Sequence, residues 1–222
     1  MATKYNLKYF GLPALGEPVR MMLHLGKFDW DDEIVTGETW PSLKPNTKWG
    51  QVPVLTSPEG KEMTQSTAIV RYLGKKVSID GNLMYPECPE KSFEVDEMIA
   101  AFEDVRMTFV PTFAIADQAE KEAARAALVT EDGKTTAILR KVEKFVGEKY
   151  VVGDFLTIAD VWGFVILNLL RCGFLDGFPA DYLGKYPKLT AICANVASVP
   201  GIKEFVDAKV AGGNGMYKVM QC

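Results

Sequence analysis

The sequence predicts a chain of two unlike domains: an α/β domain of order βαβ-ββα over residues 1–78, and an all-α domain over residues 90–222, joined by a linker at 79–89. Three observations predict it. Strand and helix signals alternate as far as Val77 and then fade. Asn82–Pro89 carries two prolines and no periodic apolar pattern, as a linker does. From Glu90 onward only helical spacing remains. The 222 residues, 48% of them hydrophobic, suffice for two small domains or one large one.

Each element has a local cause. Tyr5–Phe10 reads as a strand. Glu17-Pro18 opens a helix with proline in its first turn, Val19, Met22 and Leu23 give it an apolar face, and Gly26 closes it. Trp30–Thr36 is a second strand, followed by a polar loop bearing Trp40, Pro41 and Pro45. Val52–Thr56 and Lys61–Thr64 are joined by the turn Ser57-Pro58-Glu59-Gly60 and should pair antiparallel. Ser66 stands where the next helix begins, with Ile69, Tyr72 and Leu73 at helical spacing. In the second domain Phe93, Ile99 and Phe102 mark one long helix, and Ala119–Leu128 and Lys134–Val146 mark two more, separated by Glu131-Asp132-Gly133. Thr157-Ile158-Ala159-Asp160 is a capping box that opens the most apolar helix, the expected core of this domain. Gly212-Gly213-Asn214-Gly215 reads as a flexible tail.

Composition narrows the function. A net charge of −4 argues against a nucleic-acid binder, which needs a basic face. Residues 1–78 hold 10 Lys+Arg against 8 Asp+Glu, hence +2, leaving −6 for the remainder. Cys88, Cys172, Cys193 and Cys222 show no metal-ligand spacing, and His24 is the only histidine, so neither a metal site nor a Cys–His nucleophile pair is expected. Scattered cysteines without a secretory leader read as free thiols of a reducing, cytoplasmic compartment. The longest apolar stretch, Val161–Leu170, is too short to span a bilayer, so no membrane association is expected.

The densest functional signal runs from Gln51 to Leu73. Proline cannot donate to a sheet ladder, so Pro53 within Gln51-Val52-Pro53-Val54-Leu55 demands an edge, a bulge or a cis bond. A dozen residues later a helix begins. A bent strand offering N–H and C=O groups beside a helix N-terminus suits a small anionic ligand with peptide-like groups.

Tyr9-Phe10, Trp40 with Lys44, Gln51-Val52-Pro53, Gln65-Ser66, and Thr157–Asp160 preceded by Gly153-Asp154 together resemble the tyrosine-type cytosolic glutathione transferases, over essentially the whole chain. Trp40-Pro41-Ser42-Leu43-Lys44 is similar to the sigma class, whereas Glu103-Asp104-Val105-Arg106 and Gly177-Phe178-Pro179 lean towards pi. The resemblance implies the glutathione transferase fold, with a thioredoxin-like first domain. It implies a homodimer that joins the glutathione thiolate to hydrophobic electrophiles, with glutathione as co-substrate and no resident cofactor.

The resemblance also assigns residues. Tyr9 is the catalytic hydroxyl donor to sulfur; considered alone, it reads sooner as an interfacial aromatic at a strand end. Val52, freed by a cis Pro53, pairs with the cysteinyl part of glutathione, and Gln65 and Ser66 hold the γ-glutamyl carboxylate. Trp40 and Lys44 hold the glycyl carboxylate with help from Gln51, although Lys44 is also what a solvated surface lysine looks like. Asp104 reaches the γ-glutamyl amine across the dimer, or is a plain helix-surface acid. Trp49 plugs into the partner, or folds back on its own domain. Leu12, Pro13 and Leu15, with Arg106, Phe109, Val110 and Phe113 from the next helix, line the electrophile pocket; Phe109 and Phe113, at i and i+4, are also read as ordinary core. One departure stands out: sigma and pi members carry an arginine where this chain has Leu15, as the mu class does.

Two other functions remain open from sequence. One is glutathione-dependent isomerisation of prostaglandin-like endoperoxides. The other is a non-enzymatic relative, ligand-binding or crystallin-like, because fold alone does not settle function. A thiol-exchange enzyme is disfavoured, since no cysteine lies near the first strand or the first helix start.

Overall fold

A computed structural model describes residues 4–221, which divide into two compact units, one ending at Tyr85 and one beginning at Pro86. In the first, β1 (Tyr5–Phe10), α1 (Glu17–Leu25), β2 (Trp30–Val35), α2 (Trp40–Leu43), β3 (Val54–Thr56), β4 (Glu62–Thr64) and α3 (Ser66–Gly74) follow in order. The sheet order is β2-β1-β3-β4, with β1 parallel to β2 and antiparallel to β3, and β3 antiparallel to β4. This is the mixed four-stranded sheet of a thioredoxin-like domain. β1 buries alternate residues, Tyr5, Leu7 and Tyr9, as a strand with one covered face must. α1 and α3 pack together, burying Val19, Met22 and Leu23 of one and Ile69, Val70 and Leu73 of the other.

Two segments of this unit differ from expectation. Past Val77 the chain makes a further hairpin, β5 (Ser78–Ile79) with β6 (Asn82–Leu83), inside the stretch read as linker. Its turn is Asp80-Gly81, both at positive φ (49° and 82°), the two-residue turn whose twist suits a hairpin. The stretch read as a polar loop after β2 is helical instead, with α2 opened by Trp40 and Pro41 and followed by the 3-10 turn Lys44–Asn46, because a proline in the first turn of each suits a helix start; α3 begins at Ser66 as expected.

The second unit contains α4 (Pro89–Phe109), α5 (Gln118–Leu128), α6 (Lys134–Phe145), α7 (Ile158–Leu169), α8 (Pro187–Ser198) and α9 (Pro200–Ala211). α7 is buried along its whole length and packs against α4 and α8, which makes it the core helix its composition predicts. Gly163 permits the close crossing: a Cβ there would lie 2.6 Å from the Phe102 ring on α4. The predicted capping box is present, with the Thr157 and Asp160 side chains each bonding the helix start. The glycine-rich tail is followed by a 3-10 helix, Gly215–Gln221. Tyr217 and Met220 are buried there, with the Tyr217 ring against Phe205 of α9 and the Val219 carbonyl accepting from Arg171. Two apolar side chains three residues apart dock this turn despite the glycines before it. Among the described residues no single helix is long and apolar enough to cross a membrane. Cys88, Cys172 and Cys193 are free thiols, and Cys222 lies outside the described residues.

Candidate active site

The first unit gathers its assigned residues at one end of the sheet. Lys8 pairs with Val54, and Val54 with Thr64. The residues just past those pairs, Tyr9 at the exit of β1, Val52-Pro53 at the entry to β3 and Gln65-Ser66 after β4, therefore lie at the same sheet end. Val52 is outside the ladder, half-buried, and its bond to the buried Pro53 is cis. Gln65 is exposed, and its backbone lies at φ 68°, ψ 101°, a region non-glycine residues rarely enter. Strain of this kind costs about 1–3 kcal/mol and persists at functional sites. No side chain caps α3, so its first N–H groups and positive dipole end stand at this rim of the sheet.

Tyr9 is buried, with 5% of its surface exposed. Its ring meets Phe10 edge-on at 5.6 Å and fills the space over Gly16, where an added Cβ would sit 2.2 Å from Tyr9 Cδ1. Trp40 opens α2 and stacks edge-on to Phe10 at 5.7 Å, which brings it to the same end of the sheet. Lys44 is exposed in a 3-10 turn, its stem in van der Waals contact with the position a Gly50 side chain would occupy, next to the exposed Gln51. Leu12 and Leu15 are half-buried and Pro13 buried in the turn after Tyr9. Trp49 keeps 58% exposure while its indole N–H donates to Thr64 Oγ1 at 3.1 Å and Lys48 Nζ lies over its ring.

In the second unit Asp104 is exposed on α4. Arg106, two residues further on, is held by both oxygens of Glu103, which also accepts from the Trp162 indole at 3.2 Å. Phe109 is 2% exposed and belongs to the core. Val110 and Phe113 fall beyond α4, in the 3-10 segment Val110–Ala114, rather than on the helix as expected. Phe113 is exposed on one side, with Arg125 over its ring and Phe109 and Phe174 beside it. Among the described residues no three His, Cys, Asp or Glu side chains gather to hold a metal.

Sequence reasoning missed Gly16 and Arg20. Glu17 and Arg20 are at i and i+3 on a helix whose other residues are nearly all apolar, and a charged pair on such a helix is the signal that would have found the second.

The first unit thus presents a thioredoxin-like sheet with an uncapped, strained helix start at the same end as a strand-end tyrosine. Comparison with known proteins identifies the family. The family models for the glutathione S-transferase N-terminal and C-terminal domains match residues 16–80 and 103–209. The chain is 30% identical over 207 residues to glutathione S-transferase 1 of Ascaris suum, covering 91% of this chain and 95% of that protein. A solved prostaglandin synthase D of Nilaparvata lugens is similar at TM-score 0.81 and 30% identity, over 92% of this chain and 97% of the other. The sigma class glutathione S-transferase of Fasciola hepatica is similar at TM-score 0.78 and 26% identity, over 94% and 97%. The chain belongs to the glutathione S-transferase family.

Proposed function

We propose that this protein joins the thiolate of glutathione to hydrophobic electrophiles, with the Tyr9 hydroxyl donating to the sulfur. The observation that carries the reading is the convergence of Tyr9, Val52-Pro53 and Gln65-Ser66 at one sheet end. A tripeptide thiol laid along that end meets a backbone edge at Val52, a helix dipole and N–H groups at Ser66, and a phenol at Tyr9. Trp40, Lys44 and Gln51 supply one ring, one cation and one amide for a second carboxylate. Leu12, Pro13 and Leu15 give the thiol end an apolar lip.

A thiol of ordinary pKa near 8.5 is mostly protonated at neutral pH, and only the thiolate attacks carbon well. A hydroxyl donating to the sulfur stabilises the charged form selectively. The thiol proton goes to solvent, the C–S bond forms, and the leaving group departs with its electron pair. Retention on immobilised glutathione, with conjugation of a generic aryl halide, tests the reading; absence of both would refute it. The likeness to the prostaglandin synthase D of Nilaparvata lugens favours a second reaction by the same thiolate, isomerisation of an endoperoxide, which product analysis with a prostaglandin-type endoperoxide distinguishes.

Gln65 provides a prediction with opposite signs. Gln65→Gly removes the strained side chain, relieving about 1–3 kcal/mol against about 0.5–1 kcal/mol of added unfolded-chain entropy. The variant should unfold at higher denaturant, yet bind glutathione about 5- to 10-fold more weakly through loss of a polar contact to carboxylate. Equal or tighter binding would remove Gln65 from the ligand set.

Trp49 supports the proposal of a homodimer. An indole tied by its N–H to Thr64 and still 58% exposed is a rigid apolar surface of the kind that anchors interfaces. Trp49→Ala should shift the protein from dimer to monomer in sedimentation at micromolar concentration. Unchanged sedimentation and glutathione titration would leave Trp49 a local packing residue.

A further inference from the structure

Behind Tyr9, α1 buries a guanidinium with two carboxylates for company. Arg20 is 1% exposed and uses all five of its N–H donors within this unit. Nε and Nη2 hold Asp32 of β2 at 2.9–3.0 Å, and Nη1 holds Glu17 Oε2 at 3.0 Å. The remaining two donors go to backbone: Nη2 to the Phe10 carbonyl at 2.9 Å and Nη1 to the Leu12 carbonyl at 3.3 Å. Those carbonyls belong to the residues one and three beyond Tyr9. Arg20 Cζ lies 5.6 Å from the centroid of the Tyr9 ring, while Gly16, at the start of the same helix, abuts that ring at Cγ and Cδ1.

A cation supplied for its field would not be arranged this way. Two carboxylates stand against one guanidinium, so the cluster as a whole does not favour a nearby thiolate. Its directed bonds do something else: they lock the chain leaving β1 to both α1 and β2. The ring of Tyr9 is then confined between the Gly16 backbone, the Phe10 edge and the guanidinium. Lysine could replace the charge, but its three donors on one nitrogen cannot reach four separate acceptor groups in a planar fork.

We propose that Arg20, anchored by Asp32 and Glu17, is the positioning residue for the Tyr9 hydroxyl, and that its loss frees the tyrosine from the sulfur without emptying the glutathione site. The proposal rests on reading Tyr9 as the thiol donor. A hydrogen bond to sulfur weakens steeply as its geometry degrades, whereas the groups proposed for the carboxylates of glutathione lie on Trp40–Lys44 and at the start of α3.

The test compares wild type, Tyr9→Phe, Arg20→Lys and Asp32→Asn, measuring glutathione affinity by titration and the pKa of bound glutathione by thiolate ultraviolet absorbance. In Arg20→Lys the bound thiol should titrate about one pH unit higher than in wild type, a tenfold loss of thiolate, with affinity changed less than about threefold. Asp32→Asn keeps an acceptor for the fork and is the variant to measure where Arg20→Lys does not fold; about a threefold loss of thiolate is expected. Reduced stability with an unchanged thiol pKa in the folded variants would overturn the proposal and leave the cluster purely structural. A wild-type thiol pKa equal to that in Tyr9→Phe would instead refute Tyr9 as donor, a separate failure that removes the premise.

Discussion

Tyr9→Phe should slow glutathione conjugation about 10- to 100-fold at about pH 6.5, the range that follows from losing one hydrogen bond to a charged group, about 1.5–3 kcal/mol. The substitution removes an oxygen and leaves the ring, so the contacts with Gly16, Phe10 and Arg20 persist and the fold should too. Affinity for glutathione should change little, because the groups assigned to its carboxylates are elsewhere. The loss should also depend on pH in a definite direction. Without the donor, the thiol ionises at its ordinary pKa near 8.5, so the variant recovers as pH approaches and passes that value. Measured with an electrophile whose chemical step limits turnover, the ratio of the two rates should therefore fall steadily with pH. A variant that matches wild type at about pH 6.5, or a ratio independent of pH, would remove Tyr9 from the chemistry.

Much of what such an experiment needs was legible in the chain. Periodicity and punctuation located β1, α1, β2, β3 and β4, because β1 buries alternate residues and the others are bounded by proline, glycine or turn residues. The capping box marked the start of α7 for a local reason: Thr157 and Asp160 bond the helix start within four residues of sequence. What failed to show was set by conformation or by long-range partners. Nothing in the letter Gln65 says that its φ is positive, since that geometry is imposed by the joining of β4 to α3. The start of α3 at Ser66, by contrast, was legible from a small polar residue followed by Ile69, Tyr72 and Leu73 at helical spacing. Asp80-Gly81 was a readable hairpin signal, overlooked because strands of two residues carry too little pattern around it.

The site shows the same division. Tyr9, Val52, Pro53, Gln65 and Ser66 are assignable by motif, and strand register accounts for their convergence. Arg20 touches Asp32, Glu17 and two carbonyls, and three of these four lie within ten residues of it in sequence. It still escaped notice, because an arginine among apolar helix residues reads as a surface position until burial is known. Phe109 went the other way: the resemblance assigned it to a pocket wall, its i, i+4 spacing with Phe113 also read as ordinary core, and its 2% exposure places it in the core of the second unit.

Asp160→Asn should be the most destabilising single-atom exchange in the second unit. Oδ1 of Asp160 accepts from the Val151 N–H at 2.6 Å, and Oδ2 accepts from the Thr157 N–H at 2.8 Å and the Thr157 hydroxyl at 2.9 Å. An asparagine has one oxygen, so its NH2 must face either the Val151 donor or the Thr157 donors, leaving buried N–H groups unpaired. At about 1–3 kcal/mol for each such group, a loss of about 2–3 kcal/mol at neutral pH is expected. The charge itself is costly. Burial raises the carboxyl from its ordinary 3.8 to about 6 despite the hydrogen bonds from Val151 and Thr157, which pull it down. A folded pKa above the unfolded one means that the folded state binds the proton more tightly. The contribution of this carboxyl is therefore full below about pH 4 and declines as pH rises through about 6. The asparagine cannot take up that proton. In urea denaturation at fixed protein concentration, the gap between wild type and Asp160→Asn should widen on acidification from about pH 7 to about pH 4.5, by on the order of 2 kcal/mol. A gap that narrows over the same range would mean that the ionised carboxylate stabilises the helix start more than its burial costs, and that the hydrogen bonds, not desolvation, set its pKa.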